Sequence, residues 1–221
     1  MKLFLIRHAQ SANNALPEHQ RIEDPPITDL GHRQAAALGQ WMGTARLTHL
    51  VASPFRRSLQ TAEYVHRTTG LVPEVWVDLH EQGGCYSGWE PPAYEGRPGM
   101  SHVEISAQFP GWIIESAIDH TGWWKSQPYE SFDQARVRAR RLIGRTKEQF
   151  AATDAHVAYV MHADFKRLVL AELFADTLAR DAHWPTGIYN TAVSVVEISP
   201  RHIRLDQFNS TGHLAFELVS G

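Results

Sequence analysis

Cysteine is almost absent from this chain of 221 residues, where Cys85 stands alone. No intramolecular disulfide can form, and no cluster of thiolates can hold a metal. Lysine is scarce too, with four residues against 17 arginines. The formal net charge is −3, which argues against a broadly basic binder of nucleic acid. Long apolar runs are missing. Leu3–Ile6 is followed at once by Arg7, well short of the roughly 7–15 apolar residues of a signal core and the roughly 18 of a membrane span. These absences predict a soluble cytoplasmic protein that uses neither nucleic acid nor membrane as a partner. The sequence also contains no Gly-x-x-x-x-Gly-Lys-Ser/Thr loop and no His-Glu-x-x-His pair, so neither a P-loop nor that zinc site is expected.

What is present is 43% hydrophobic residues and thirteen histidines. The first figure suffices for a sizeable core, and the length suits one domain. Leu3–Ile6, His49–Ala52, Glu74–Val77 and His156–Met161 read as short buried strands. Between them lie helical patterns. One follows a cap at Thr28 or Asp29, with Leu30, Ala37, Leu38, Trp41 and Ala45 inward. A second starts at Ser53-Pro54, read as N-cap and first helical residue, and ends at Gly70. A third runs from about Ser131 to Phe150 with Phe132, Ala135, Ala139 and Leu142 inward, and a fourth from Phe165 to Ala175. Residues 192–198, 203–208 and 213–219 read as strands, the last two as an edge hairpin. Alternating strands and helices predict a three-layer α/β/α sandwich on a mostly parallel sheet. Residues 79–130, with Trp89, Trp112, Trp123 and Trp124, read as an aromatic-rich insertion into a single domain spanning 1–221.

Ligands of parallel sheets gather at the carboxyl ends of the strands. After the first strand come Arg7 and His8, after the second Arg56 and Arg57, after the third Glu81, and after the fourth His162. The topology thus brings arginines, two histidines and a carboxyl group to one sheet edge. Guanidinium forks and imidazoles suit a phosphoryl dianion. A histidine can attack phosphorus, and a carboxylic acid can protonate the leaving oxygen and then activate water. With the cations built in, this chemistry calls for no metal and no cofactor, and its partner is a small phosphorylated molecule.

These residues carry a family resemblance. Arg7-His8-Ala9-Gln10-Ser11, with Asn14 beyond, resembles the Arg-His-Gly-Glu-Thr/Ser…Asn signature of the histidine phosphatase superfamily, whose branch includes cofactor-dependent phosphoglycerate mutase. Ile27–Gly31 resembles its Leu-Thr-x-x-Gly element, and Ser53–Ala62 its Ser-x-Leu-x-Arg-Ala-x-Gln-Thr-Ala. Leu79-His80-Glu81 resembles Leu-x-Glu, Glu130-Ser131 with Arg138 a Glu-Ser…Arg pattern, and Val160–His162 the strand that delivers the second active-site histidine. Asn190-Thr191 matches an Asn-Thr/Ser that precedes a late strand. The resemblance implies a phosphoglycerate mutase-like fold, with His8 as nucleophile and Glu81 as general acid. Arg7, Arg57 rather than Arg56, and His162 then bind phosphate, joined by Asn14, Ser11 and Ala163.

The sequence departs from that pattern at Ala9, Gln10 and Ala163, and most around the acid, where Gly88-Trp89 follow Glu81 at a longer spacing than usual. The mutase form of that segment, Glu-Arg-x-Tyr-Gly, is absent, which favours a phosphomonoesterase over a mutase. A phospho-ligand binding protein of the same fold is the further alternative. Glu90 is the rival proton donor. Asn14 is alternatively a turn cap, and Arg138 is read as a structural partner of Glu130.

Overall fold

The computed structural model describes residues 1–175 and 187–221. Its elements, in chain order, are β1 (Lys2–Arg7), α1 (Ala12–Ala15), α2 (Asp29–Met42), β2 (His49–Ala52), α3 (Arg56–Thr69) and β3 (Glu74–Val75). They continue with β4 (Tyr86–Ser87), β5 (Glu95–Gly96), α4 (His102–Gln108), β6 (Ile113–Ile114), α5 (Phe132–Phe150), β7 (His156–Met161), α6 (Ala163–Leu173), β8 (Val193–Ile198) and β9 (Ile203–Ser210). Seven strands form one sheet in the order β6-β3-β2-β7-β1-β8-β9. From β6 to β1 all neighbours are parallel, and β8 and β9 add an antiparallel edge. The mostly parallel α/β sandwich expected from the sequence is therefore present.

Alternation within β1 explains the two cores. Phe4 and Ile6 join Leu38, Met42, Leu59 and Val65 of α2 and α3 on one face of the sheet. Leu3 and Leu5 join Ala139, Leu142, Val169 and Leu170 of α5 and α6 on the other. Side chains of a strand point alternately to opposite faces, so a continuous apolar run is what a two-sided burial requires. The chain leaves β1 toward α2 on the first face and leaves β7 toward α6 on the second. The crevice between β1 and β7 is thus a point where connections diverge, the usual place for a ligand in such sheets.

Several expectations need correction. Residues 213–219 form no strand: Phe216–Leu218 is a single 3-10 turn, with Phe216 94% exposed. The edge hairpin is instead β8 with β9. The third strand stops at Val75, and Val77–Leu79 is a 3-10 turn. Ser53 caps no helix, because α3 begins at Arg56 with Phe55 in the cap position. Phe132 lies on the exposed side of α5. In α2 the buried face centres on Gly31, Gln34, Ala35, Leu38 and Met42. Thr28 is its cap, accepting from the Gly31 N–H. The segment 79–130 supplies β6 to the sheet edge and packs Trp112, Trp123 and Trp124 into the first core, while Trp89 is exposed.

Two buried charged features interrupt the apolar interior. Arg138 of α5 meets Glu130 through two hydrogen bonds, Nε to Oε1 at 2.8 Å and a second guanidinium nitrogen to Oε2 at 2.6 Å. It also donates to the carbonyls of Asp78 and His80 and lies 3.6 Å from the centre of the Phe165 ring. Arg138 is thus the structural partner of Glu130 that the sequence suggested. Despite its burial, Glu130 is held down to about 2 by Arg138 and His80. Lys166 of α6 is fully buried and donates to the Ala192 carbonyl at 2.9 Å. Burial, with Arg7 nearby, pushes its ammonium down to about 7.

Each feature yields a stability prediction. Arg138→Met leaves Glu130 buried without its fork and should cost about 3–5 kcal/mol in denaturant unfolding. Folded Lys166 gives up its proton near pH 7 but unfolded Lys166 only near its ordinary 10.5. Unfolding therefore takes up a proton between those limits, and the penalty for burying the charge is largest below them. Lys166→Met should raise Tm most at about pH 6 and distinctly less at about pH 9. A gain that grows with pH would contradict the assignment.

Candidate active site

Four adjacent strands, β3, β2, β7 and β1, deliver the polar groups. Arg7 ends β1 and His8 follows it, with the His8 N–H bonded to the Met161 carbonyl of β7 at 2.8 Å. The His8 Nδ1 lies 2.7 Å from the Ala9 carbonyl. A carbonyl only accepts, so Nδ1 carries the proton and Nε2 keeps its lone pair. That lone pair receives Arg57 Nε–H at 3.2 Å. Burial above all, then Arg57 and Arg7, hold His8 well below the ordinary histidine range. Its imidazole is neutral and pointed, the form a nucleophile needs.

His162 caps α6 from the end of β7 and is fully buried. Its ring meets His8 edge-on, with centroids 5.0 Å apart. Nε2 sits 2.8 Å from Ser53 Oγ and 3.3 Å from Ser58 Oγ. Nδ1 is buried and has no hydrogen-bond partner among the described residues. Burial and the Arg57 charge push this histidine down as well. The two serines were not foreseen. Ser53 directly follows β2 and prolongs its ladder, donating its N–H to Val160, so the strand-end argument applied to Ala52 finds it where the helix-cap reading does not.

Arg7 donates to the Ile188 carbonyl, and its Nε is buried without a partner among the described residues. Burial lowers it to about 10, with Glu81 opposing and Arg57 adding to the fall. Arg57 lies 4.0 Å from the centre of the Phe55 ring and 3.9 Å from Asp24 Oδ1. Asp24 itself accepts the Arg56 N–H and is raised by burial to about 6. It sits in the irregular run before Pro25-Pro26, where no periodicity marks it. Arg56 contributes that backbone N–H while Arg57 turns its guanidinium to His8, the choice the resemblance implied.

Glu81 lies beyond the 3-10 turn and reaches the first turn of α6. Its carboxyl accepts from Phe165 N–H at 2.9 Å, Asp164 N–H at 3.3 Å and Gln82 N–H at 2.9 Å. Burial and then the nearby Asp164 raise its proton affinity, and the N–H donors and Arg57 oppose them. Gly84 closes this turn at φ +79, and a Cβ there would meet the Trp124 ring at 2.3 Å. Glu81 and Arg57 both line a cavity of about 200 Å³, which the exposed Glu90 does not. His80 faces away, its Nδ1 on the Val77 carbonyl at 2.7 Å and its Nε2 3.6 Å from Glu130.

The lesser expectations separate. Asn14 accepts from both the N–H and the hydroxyl of Ser11 at 3.0 Å. Ser11 thereby spends its side chain on α1, while the Asn14 amide nitrogen keeps its hydrogens to donate. Ala163 opens α6, one residue before the two N–H groups that Glu81 takes. Supporting residues account for the remaining motifs. Thr61 accepts the Ala9 N–H and donates to the Arg57 carbonyl. Gln60 receives the Ile27 N–H, and Gln34 the Gln10 N–H. Gly31 lets α2 approach the Gln10 carbonyl, which a Cβ would meet at 2.2 Å. Asn190 and Thr191 both donate to the His8 carbonyl. No group of three or more metal-ligating side chains occurs among the described residues.

A family model described as "Histidine phosphatase superfamily (branch 1)" matches residues 3–211. An acid phosphatase of Mycobacterium tuberculosis is 26% identical over 215 residues, or 96% of this chain and 94% of that protein. A glucosyl-3-phosphoglycerate phosphatase of the same organism is 29% identical over 142 residues, covering 64% of this chain and 58% of the relative. Among solved structures, Bacillus stearothermophilus YhfR superposes with a TM-score of 0.68 at 23% identity, over 96% of this chain and 98% of that one. Its likeness bears on the fold alone. The matched span holds both histidines, both arginines and the glutamate gathered at the sheet edge, and the chain belongs to branch 1 of the histidine phosphatase superfamily.

Proposed function

We propose that the chain is a phosphomonoesterase that hydrolyses a small phosphorylated molecule of the cytoplasm through a phosphohistidine on His8. One observation carries this reading: His8 keeps its Nε2 lone pair, fixed by the Ala9 carbonyl, directly beside the Arg57 guanidinium. A general phospho-ligand binder has no need of a neutral, oriented imidazole next to a phosphate-holding cation.

In the first half-reaction Nε2 attacks phosphorus and the bond to the leaving oxygen breaks. Arg7, Arg57 and the unpartnered Nδ1 of His162 hold the equatorial oxygens as charge spreads over them. The Asn14 amide and the Ala163 N–H assist. Glu81 gives its proton to the leaving oxygen. In the second half the Glu81 carboxylate takes a proton from water, the water oxygen bonds to phosphorus, and the P–N bond breaks. Inorganic phosphate departs and His8 is neutral again. The built-in cations supply the charge stabilisation, so no metal or cofactor enters the cycle. Hydrolysis is favoured over the mutase reaction by the missing Glu-Arg-x-Tyr-Gly segment and by a full-length relative named as an acid phosphatase.

His8→Ala should abolish both turnover of p-nitrophenyl phosphate and labelling as an acid-labile phosphohistidine. Retained turnover would end the proposal. Treatment with EDTA should leave the wild-type rate intact.

Glu81 must be protonated to act as acid, and its proton affinity is raised, whereas His8 must be neutral and is lowered. The kcat/KM profile should therefore fall along an alkaline limb as Glu81 ionises, at a pH above the ordinary carboxylate range. Glu81→Gln should remove that limb and cost about 10²–10⁴-fold in rate. The loss should be greater on phenyl phosphate than on p-nitrophenyl phosphate, whose leaving group needs no acid. Equal losses on the two esters would take the acid role from Glu81.

A further inference from the structure

The cavity lined by Arg57 and Glu81 is also lined by two unlike sets of side chains. One set is Tyr86, Trp89 and Tyr94, carried by the β4–β5 hairpin. Tyr86 and Tyr94 are locked into a three-ring cluster with Tyr129, at centroid distances of 4.5–4.9 Å. Gln82, itself bonded to the Glu130 carbonyl, anchors the Tyr129 hydroxyl at 3.1 Å. These rings are held rigidly before any substrate arrives. Trp89 lines the same cavity and is 53% exposed, so its indole face is open to a ligand.

The other set is Glu18, Arg21 and Glu23. Arg21 is occupied: it pairs with Glu18 at 3.3 Å and donates to the Asn13 carbonyl at 3.1 Å. Besides Arg57 and Glu81, the described residues lining this cavity therefore offer aromatic faces and the Glu23 carboxylate, and no unpaired cation for a second anionic group.

We infer that this cavity takes a flat aromatic ring without a second anionic group, so that the preferred esters are ring-bearing phosphate monoesters. The inference rests on the proposed phosphomonoesterase activity and names its substrate class. Rings gain from offset or edge-on contact with the fixed tyrosines, at little ordering cost. A carboxylate on the leaving group, as in a phosphoglycerate, meets the carboxylate of Glu23 with no free cation to offset it and is repelled.

Three alkyl esters separate ring and charge from leaving-group reactivity: benzyl phosphate, para-carboxybenzyl phosphate and 3-phosphoglycerate. Benzyl phosphate should exceed each of the other two in kcat/KM by at least about tenfold, the equivalent of about 1.4 kcal/mol. Trp89→Ala should lower kcat/KM for benzyl phosphate more than for glycerol phosphate, and Glu23→Gln should narrow the gap between benzyl and para-carboxybenzyl esters. Equal kcat/KM across the three esters, or a preference for 3-phosphoglycerate, overturns the inference. Calorimetric binding of the same esters to His8→Ala protein gives a readout without turnover. Tighter binding of benzyl phosphate there supports the ring subsite even if wild-type protein hydrolyses none of the esters, a result that would instead overturn the proposed activity. Indifferent binding overturns the subsite.

Discussion

Two guanidinium groups and two imidazoles share one buried crevice, and the repulsion among them is the constraint to which the rest of the molecule answers. Burial lowers Arg7, Arg57, His8 and His162 alike, and neighbouring cations add to the fall at Arg7, His8 and His162. The neutral state of the histidines follows directly, since an imidazolium here would face both arginines. The way these groups are oriented is equally telling. Arg7 is held by the Ile188 carbonyl and His8 by the Ala9 carbonyl. Neutral acceptors fix geometry without cancelling charge. The nearest carboxylate, Asp24, stays 3.9 Å from Arg57. The crevice thus keeps an excess of positive charge that a phosphoryl dianion can relieve.

Keeping such a crevice assembled requires a stiff surround. The strand following residues 187–192 runs antiparallel to β1, and that loop supplies the Ile188 carbonyl, the Asn190 amide and the Thr191 N–H. Lys166 and the Arg7 N–H both bind the Ala192 carbonyl beneath it. On the opposite flank, Arg138 grips the carbonyls of Asp78 and His80, the residues just before Glu81. Its pairing with Glu130 supports the acid's position at a distance from the chemistry. Buried polar groups are tolerated at these places because each has a partner.

The sequence reveals this site unevenly, for physical reasons. Arg7, His8, Arg57 and His162 are legible because strand ends, apolar runs and motif order all converge on them. Ser53 is masked, because Ser-Pro is a strong helix-start signal, yet α3 begins only at Arg56 and the Ser53 hydroxyl reaches His162. Alternating Leu214, Phe216 and Leu218 mimic a strand, but β9 already closes the sheet edge and the tail is drawn away. Gln34 donates to the Leu218 carbonyl and to the Ser220 hydroxyl. Strand β6 is only two residues long and owes its existence to pairing with β3, which no local pattern announces. Periodicity placed Gln34 and Lys166 on helices but could not tell that they point inward, since only a tertiary partner makes a buried polar group affordable.

Glu81 shows most clearly how one constraint serves two opposite demands. In the proposed cycle its carboxyl must hold a proton before the leaving group departs and must be ionised before water attacks. A freely exposed carboxyl would be ionised throughout, and one buried without donors would never release its proton. Here burial and Asp164 favour the acid form, while three backbone N–H groups and Arg57 favour the carboxylate. Two of these hydrogen bonds, from Asp164 and Phe165, occupy orphan N–H groups in the first turn of α6, so fixing the helix and balancing the acid are one arrangement. That position also ties the acid to His162, which caps the same helix. Any shift of α6 therefore moves His162 and Glu81 together, and their mutual spacing survives displacements that would separate residues carried on independent loops.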